Sequence, residues 1–161
     1  MSTYLIKGAF LLGERVADIL IEDGKIARIG QDIEAEDAQV VDASGQIALP
    51  GLVDIHTHLR QPGYEASETV ETGTRAAALG GYTAVFAMAN SLPVADTAAV
   101  VEQVDRLGKE SGWCRVQPIG SVTVGLKGEF LSDIGSMATS EAKVRVFSDD
   151  GMCVYDPAIM R

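Results

Sequence analysis

The sequence predicts an α/β protein whose larger part is the N-terminal portion of a (β/α)8 TIM-type barrel, preceded by a small β unit over residues 1–50. Three observations carry that prediction. Residues 51–161 alternate near-continuously apolar runs with amphipathic helices, the pattern of parallel βα units. The first run leads into His56-Thr57-His58, where a doubly wound sheet would carry a Gly-rich phosphate loop. Polar residues then follow the apolar runs one after another: His56, His58 and Arg60, next Asn90, and finally Asp149 and Asp150. Barrel enzymes place their chemistry at those C-terminal strand ends.

The β unit is read from its turns. Tyr4-Leu5-Ile6 meets a turn at Lys7-Gly8, and two alternating runs, 17–21 and 25–30, flank Glu22-Asp23-Gly24. Alternation around an Asp-Gly pair is a strong hairpin signal. Residues 40–42 and 46–49 add two short strands, and Pro50-Gly51 closes the unit. Beyond it, 51–55 reads as a buried strand and 67–79 as a helix with Glu68 and Glu71 in its first turn, where the helix dipole favours acids. Residues 82–88 read as a buried strand. Asp96 is placed as the N-cap of a second helix, whose apolar face is Val100, Val101, Val104 and Leu107 and which ends at Gly112. A strand over 114–119, a helix over 129–137 and a fourth strand over 143–147 follow. Residues 51–161 are thus assigned the first four βα units of a barrel that takes about 250 residues when complete. Asp156-Pro157 opens one more helix, with only four residues after the cap before Arg161. The expectation is the N-terminal part of a larger enzyme.

Composition narrows the function. Of 161 residues, 47% are hydrophobic and 22% charged, a globular balance. Lys and Arg number 13 against 23 Asp and Glu, a net charge of −10 that phosphate backbones would repel. The basic stretch 109–115 is interrupted by Glu110, so no nucleic-acid partner is expected. No apolar stretch reaches membrane-spanning length and no secretory signal opens the chain, so the expected location is the cytoplasm. Cys114 and Cys153 lack metal-knuckle or disulfide spacing and are read as ordinary buried thiols.

The chemistry concentrates at the strand ends. His56 and His58 are both histidines of the chain, and at i, i+2 in extended backbone they point to one side, where both imidazoles can reach one divalent ion. Asp149 and Asp150 follow the fourth apolar run; one could bridge metal ions, or the pair could simply form a polar turn before Gly151. Arg60 can clamp a substrate carboxylate in bidentate fashion or lie on the surface. Asn90 can donate to and accept from an amide-containing ring, or occupy a turn with Ser91. Trp113 is read as packing against a helix end.

The run from Leu49 to Gly63, LPGLVDIHTHLRQPG, resembles the opening of the amidohydrolase superfamily and, within it, the bacterial dihydroorotases. Glu71-Thr72-Gly73, residues 76–83 and Phe147-Ser148-Asp149-Asp150-Gly151 resemble the same family, so the likeness extends over essentially the whole chain. It implies that residues 1–50 are part of a small β-sandwich domain. It implies that His56, His58 and Asp150, the second aspartate of the D-D-G turn, are zinc ligands for one or two ions, and that His58, Arg60 and Asn90 contact substrate. Hydantoinases and allantoinases use a carboxylated lysine as the metal bridge; no lysine lies in this turn. Met88-Ala89-Asn90 departs from the Met-Pro-Asn of many members but keeps the asparagine.

The implied activity is reversible cyclisation of N-carbamoyl-L-aspartate to L-dihydroorotate in pyrimidine biosynthesis. The family's two further histidines and its acid–base aspartate have no counterpart here, so no catalytic residue is assigned and the 161-residue chain is expected to be inactive alone. Another cyclic amidohydrolase is the alternative. So is a non-catalytic relative associated with aspartate transcarbamoylase, and a homo-oligomer is also open.

Overall fold

The computed structural model describes residues 2–161, which form two compact units divided between Pro50 and Gly51. The first holds a five-stranded sheet. β1 (Thr3–Leu11) pairs antiparallel with β2 (Arg15–Glu22), which pairs antiparallel with β3 (Lys25–Gly30). β4 (Gln39–Asp42) and β5 (Ile47–Ala48) both pair with β1 in parallel. The β2–β3 turn is built as the Asp-Gly pair demands, with φ of 49° at Asp23 and 74° at Gly24. Leu5, Leu20 and Ile33 form the core.

The turn expected at Lys7-Gly8 is instead a bulge within β1, where the register with β2 shifts between Ile6 and Ala9. Gly8 supplies the positive φ, and its displaced amide donates to Asp18 Oδ1 at 2.9 Å. Asp18 Oδ2 accepts from the Ile33 amide at 3.1 Å. The Gly8 amide holds the Asp18 carboxyl below its ordinary pKa; burial opposes this, while the Ile33 amide and the Lys7 charge reinforce it.

A depressed carboxylate pKa stabilises the fold above the unfolded value of about 3.9, and that contribution is lost as pH falls through the folded value. Asp18→Ala should therefore destabilise this unit at pH 7 by about 1.5–3 kcal/mol, the worth of one hydrogen bond to a charged group. In urea titrations the gap between wild type and variant should shrink as pH falls from about 3.9 through the folded pKa. A gap independent of pH would contradict the assignment.

In the second unit, β6 (Leu52–Thr57), β7 (Tyr82–Ala87) and β8 (Arg115–Pro118) form a parallel sheet in the order β6-β7-β8. Helices α1 (Val70–Leu79) and α2 (Ala98–Ser111) connect them. Leu59, Val70, Val85, Ala87, Val104 and Val116 make one core cluster; Val100, Val101, Met137 and Val144 anchor another. Helix α1 starts later than Ser67 because Thr69 and Thr72 form a reciprocal capping box. The N-cap position of helix α2 is Thr97, whose side chain makes no capping bond, and the Asp96 carboxylate accepts from the Gly125 amide instead; the helix ends at Gly112, where φ is 67°.

Four further expectations are corrected. β6, read as buried, is an edge strand: Leu52, Val53 and Ile55 are half or more exposed because only β7 pairs with it. The helix read over 129–137 is a shorter α3 (Ile134–Thr139), because residues 130–132 bond back to 122–124. Residues 143–147 are not a strand. The backbone turns at Lys143 (φ 49°), the Val144 amide donates to Met137, and Arg145 donates to the Ala138 carbonyl, so local bonds to α3 replace a ladder. A single parallel bridge, Gly120 to Phe147, remains beside β8. Finally, Cys153 is exposed rather than buried, while Cys114 is half-buried and its thiol pKa is raised by that burial. The terminal helix, α4 (Pro157–Met160), starts with Asp156 accepting from the Ala158 amide.

Candidate metal centre

His56 lies on β6 and His58 one residue past its end. β6 is held there by β7: the Thr57 hydroxyl donates to the Phe86 carbonyl at 2.8 Å, and the Met88 amide donates to Thr57 O at 2.8 Å. The extended backbone puts both imidazoles on one side, with centroids 5.3 Å apart and planes at 70°. Asp150 meets them from the turn after Phe147. Its Oδ1 lies 3.3 Å from His56 Nε2 and its Oδ2 lies 3.5 Å from His58 Nε2.

One ligand atom from each of the three residues can be chosen so that all lie within 4.8 Å of one another. Both nitrogen–oxygen distances exceed the 2.7–2.9 Å of a tight charge-assisted bond, so the donors surround a common point rather than pairing closely. Two imidazoles and a carboxylate are a donor set that suits zinc and similar divalent ions. His58 is prepared for such a role: its Nδ1 lies 2.9 Å from Asn90 Oδ1. With the amide oxygen facing the ring, Nδ1 is the donor of this contact, which directs Nε2 toward Asp150 as the atom that would ligate an ion.

The two adjacent aspartates diverge. Asp149 is buried and turned away from the histidines, accepting from the Val122 amide at 2.7 Å, the Thr123 amide at 3.1 Å and the Thr123 hydroxyl. Arg60 is exposed, with a left-handed backbone (φ 60°) and its carbonyl accepting from the Tyr64 amide. Its guanidinium is not among the groups brought to the three donors. Trp113 is half-exposed, and its indole donates to Glu71 on α1 at 3.2 Å, matching its expected place at a helix end. Thr123 escaped the sequence reading altogether; nothing in Ser121-Val122-Thr123 signals a partner 26 positions away.

A family model described as "Dihydro-orotase-like" matches residues 45–161. The chain belongs to this family. It is 63% identical over 161 residues to a dihydroorotase of Streptomyces coelicolor, covering 100% of this chain and 38% of the relative. It is 57% identical over 150 residues to a dihydroorotase of Mycobacterium tuberculosis, covering 92% and 35%. Among solved structures, the L-hydantoinase (dihydropyrimidinase) of Arthrobacter aurescens superposes with a TM-score of 0.66 at 28% identity, covering 78% of this chain and 29% of that one. The chain therefore spans little more than a third of the curated dihydroorotases it matches and corresponds to part of a hydantoinase-type barrel. Dihydroorotase-like enzymes are generally metal-dependent, and the donor cluster fits that family property. Among the described residues, no helix is long and apolar enough to cross a membrane.

Proposed function

We propose that this chain carries the first zinc ligands and part of the substrate site of a dihydroorotase that interconverts N-carbamoyl-L-aspartate and L-dihydroorotate. The observation that carries the reading is the convergence of His56, His58 and Asp150, separated by up to 94 positions, on one point at the end of β6. In this reading those three residues hold zinc, one ion or a share of two. The chemistry such an ion supplies when bound is Lewis-acid polarisation of an amide carbonyl and a nucleophile available at neutral pH.

The protein's own groups do the rest. Asn90 uses Oδ1 to orient His58, which leaves its Nδ2 hydrogens to donate to the substrate carboxylate. Arg60, at the end of the same segment, offers a planar fork to that carboxylate. The acid–base group and further histidine ligands implied by the resemblance are not among these residues, so residues 1–161 alone do not complete the cycle. Residues 51–161 are in this reading the leading βα units of the barrel, and residues 1–50 a share of its β-sandwich domain. The cytoplasm is the location that suits the pathway.

The hydantoinase-type alternative has the structural neighbours in its favour, but plain hydantoin has no carboxylate for Arg60 and Asn90 to hold. Embedded in a complete barrel, this sequence should turn over dihydroorotate in preference to hydantoin and allantoin. Preference for hydantoin would overturn the substrate assignment. The isolated 161 residues should show no turnover with added zinc and should self-associate in light scattering through exposed Leu52, Val53 and Ile55. An active, monodisperse monomer would contradict both expectations.

A further inference from the structure

We propose that Asp149 and Thr123 form a latch that positions the Asp150 carboxylate; this rests on reading His56, His58 and Asp150 as metal ligands. The need for a latch follows from the fold. His56 lies on β6 and His58 directly follows it, and β6 is fixed by its pairing with β7. Asp150 follows a segment with no ladder, joined to its neighbour by the single Gly120–Phe147 bridge, whose two bonds run from the Gly120 amide to Val146 O at 3.2 Å and from the Ser148 amide to Gly120 O at 2.9 Å. Among the described residues, no backbone pairing to another strand holds the chain past Ser148.

Asp149 supplies that hold through its side chain. Its buried carboxylate takes three donors from residues 122 and 123, and Thr123, itself fully buried, also accepts from the Gly128 amide at 2.9 Å. The loop 122–128 and the turn 149–150 are thereby locked into one unit. With Asp149 pinned on one side, the next residue projects away from it, and its carboxylate reaches both imidazoles. The two aspartates of the turn have separate tasks: one anchors, the other faces the metal. Thr123 and Asp149 are positioning residues with no contact to the donors' common point.

The test uses a complete barrel carrying this sequence, with Thr123→Val, Thr123→Ser and Asp149→Asn. Zinc affinity is read by competition with a chromophoric chelator, and backbone order by amide hydrogen exchange over residues 147–151. Thr123→Val is the milder variant, because both backbone donors to Asp149 remain. It should weaken zinc binding about 10- to 100-fold, the usual cost of losing a supporting partner. Thr123→Ser, which keeps the hydroxyl, should bind within a few-fold of wild type.

A role confined to stability would lower the melting temperature and leave the affinity of the folded protein unchanged, and that result would overturn the proposal. So would equal affinities for the valine and serine variants. If wild type itself takes up no zinc, the metal reading fails on its own. The latch is then judged by exchange: faster exchange at 147–151 in Thr123→Val and Asp149→Asn supports it, and unchanged exchange refutes it.

Discussion

Replacing either His56 or His58 by alanine should abolish dihydroorotase turnover of a complete barrel carrying this sequence and sharply lower its zinc content. Each imidazole is one of only two nitrogen donors at the cluster, so losing either leaves one imidazole and one carboxylate. Catalytic zinc sites ordinarily use three protein ligands. Asp150→Ala removes the carboxylate that faces both rings and should fall in the same class. Asp149→Ala differs in kind. It leaves the part-buried Val122 amide and the buried Thr123 amide without their acceptor, at about 1–3 kcal/mol for the buried group. Its main effect should therefore be on thermal stability, with a partial loss of zinc through the displaced turn. Metal analysis, melting curves and activity on the four variants separate these outcomes. Equal zinc loss with equal melting temperatures for the two aspartate variants would show that the turn does not divide its tasks.

Arg60→Met should reduce use of dihydroorotate about 10- to 150-fold while sparing an uncharged analogue such as dihydrouracil. The range follows from about 1.5–3 kcal/mol for a hydrogen bond to a charged group. The position favours such a role: Arg60 follows His58 by two residues, and its left-handed φ of 60° is a conformation bulky residues seldom adopt. Its neighbour Leu59 is buried in the cluster with Val70, which anchors the segment between His58 and the arginine. Comparing kcat/KM for the two substrates checks the clamp. An equal loss on both would make Arg60 a structural residue of this loop.

What the sequence revealed and what it hid divide along physical lines. The hairpin over residues 15–30 was legible because an Asp-Gly turn is a local preference of two residues. Helix α2 was legible because Val100, Val101 and Val104 share one face, although its cap was not: Asp96 could cap equally well, and only the distant Gly125 amide draws it away. The exposure of β6 and the loss of the strand at 143–147 were hidden for a common reason. An apolar run reports what a segment can bury, while pairing partners decide whether it does, and here α3 captures Val144 and Arg145. In the site, the common direction of His56 and His58 follows from two-residue periodicity alone. Choosing between Asp149 and Asp150 needs the donors of residues 122 and 123, and Asn90 meets His58 across 32 positions, so neither contact leaves a trace in local spacing.

The central claim is that His56, His58 and Asp150 bind one metal ion together. X-ray absorption at the zinc edge of the zinc-loaded protein tests it most directly. The predicted spectrum shows imidazole scattering with nitrogen at about 2.0–2.1 Å and carboxylate oxygen at about 2.0–2.2 Å, and His56→Ala and His58→Ala should each reduce the imidazole contribution. Sulfur at about 2.3 Å, from Cys114 or Cys153, or an imidazole signal unchanged in both variants, would place the metal elsewhere and contradict the account.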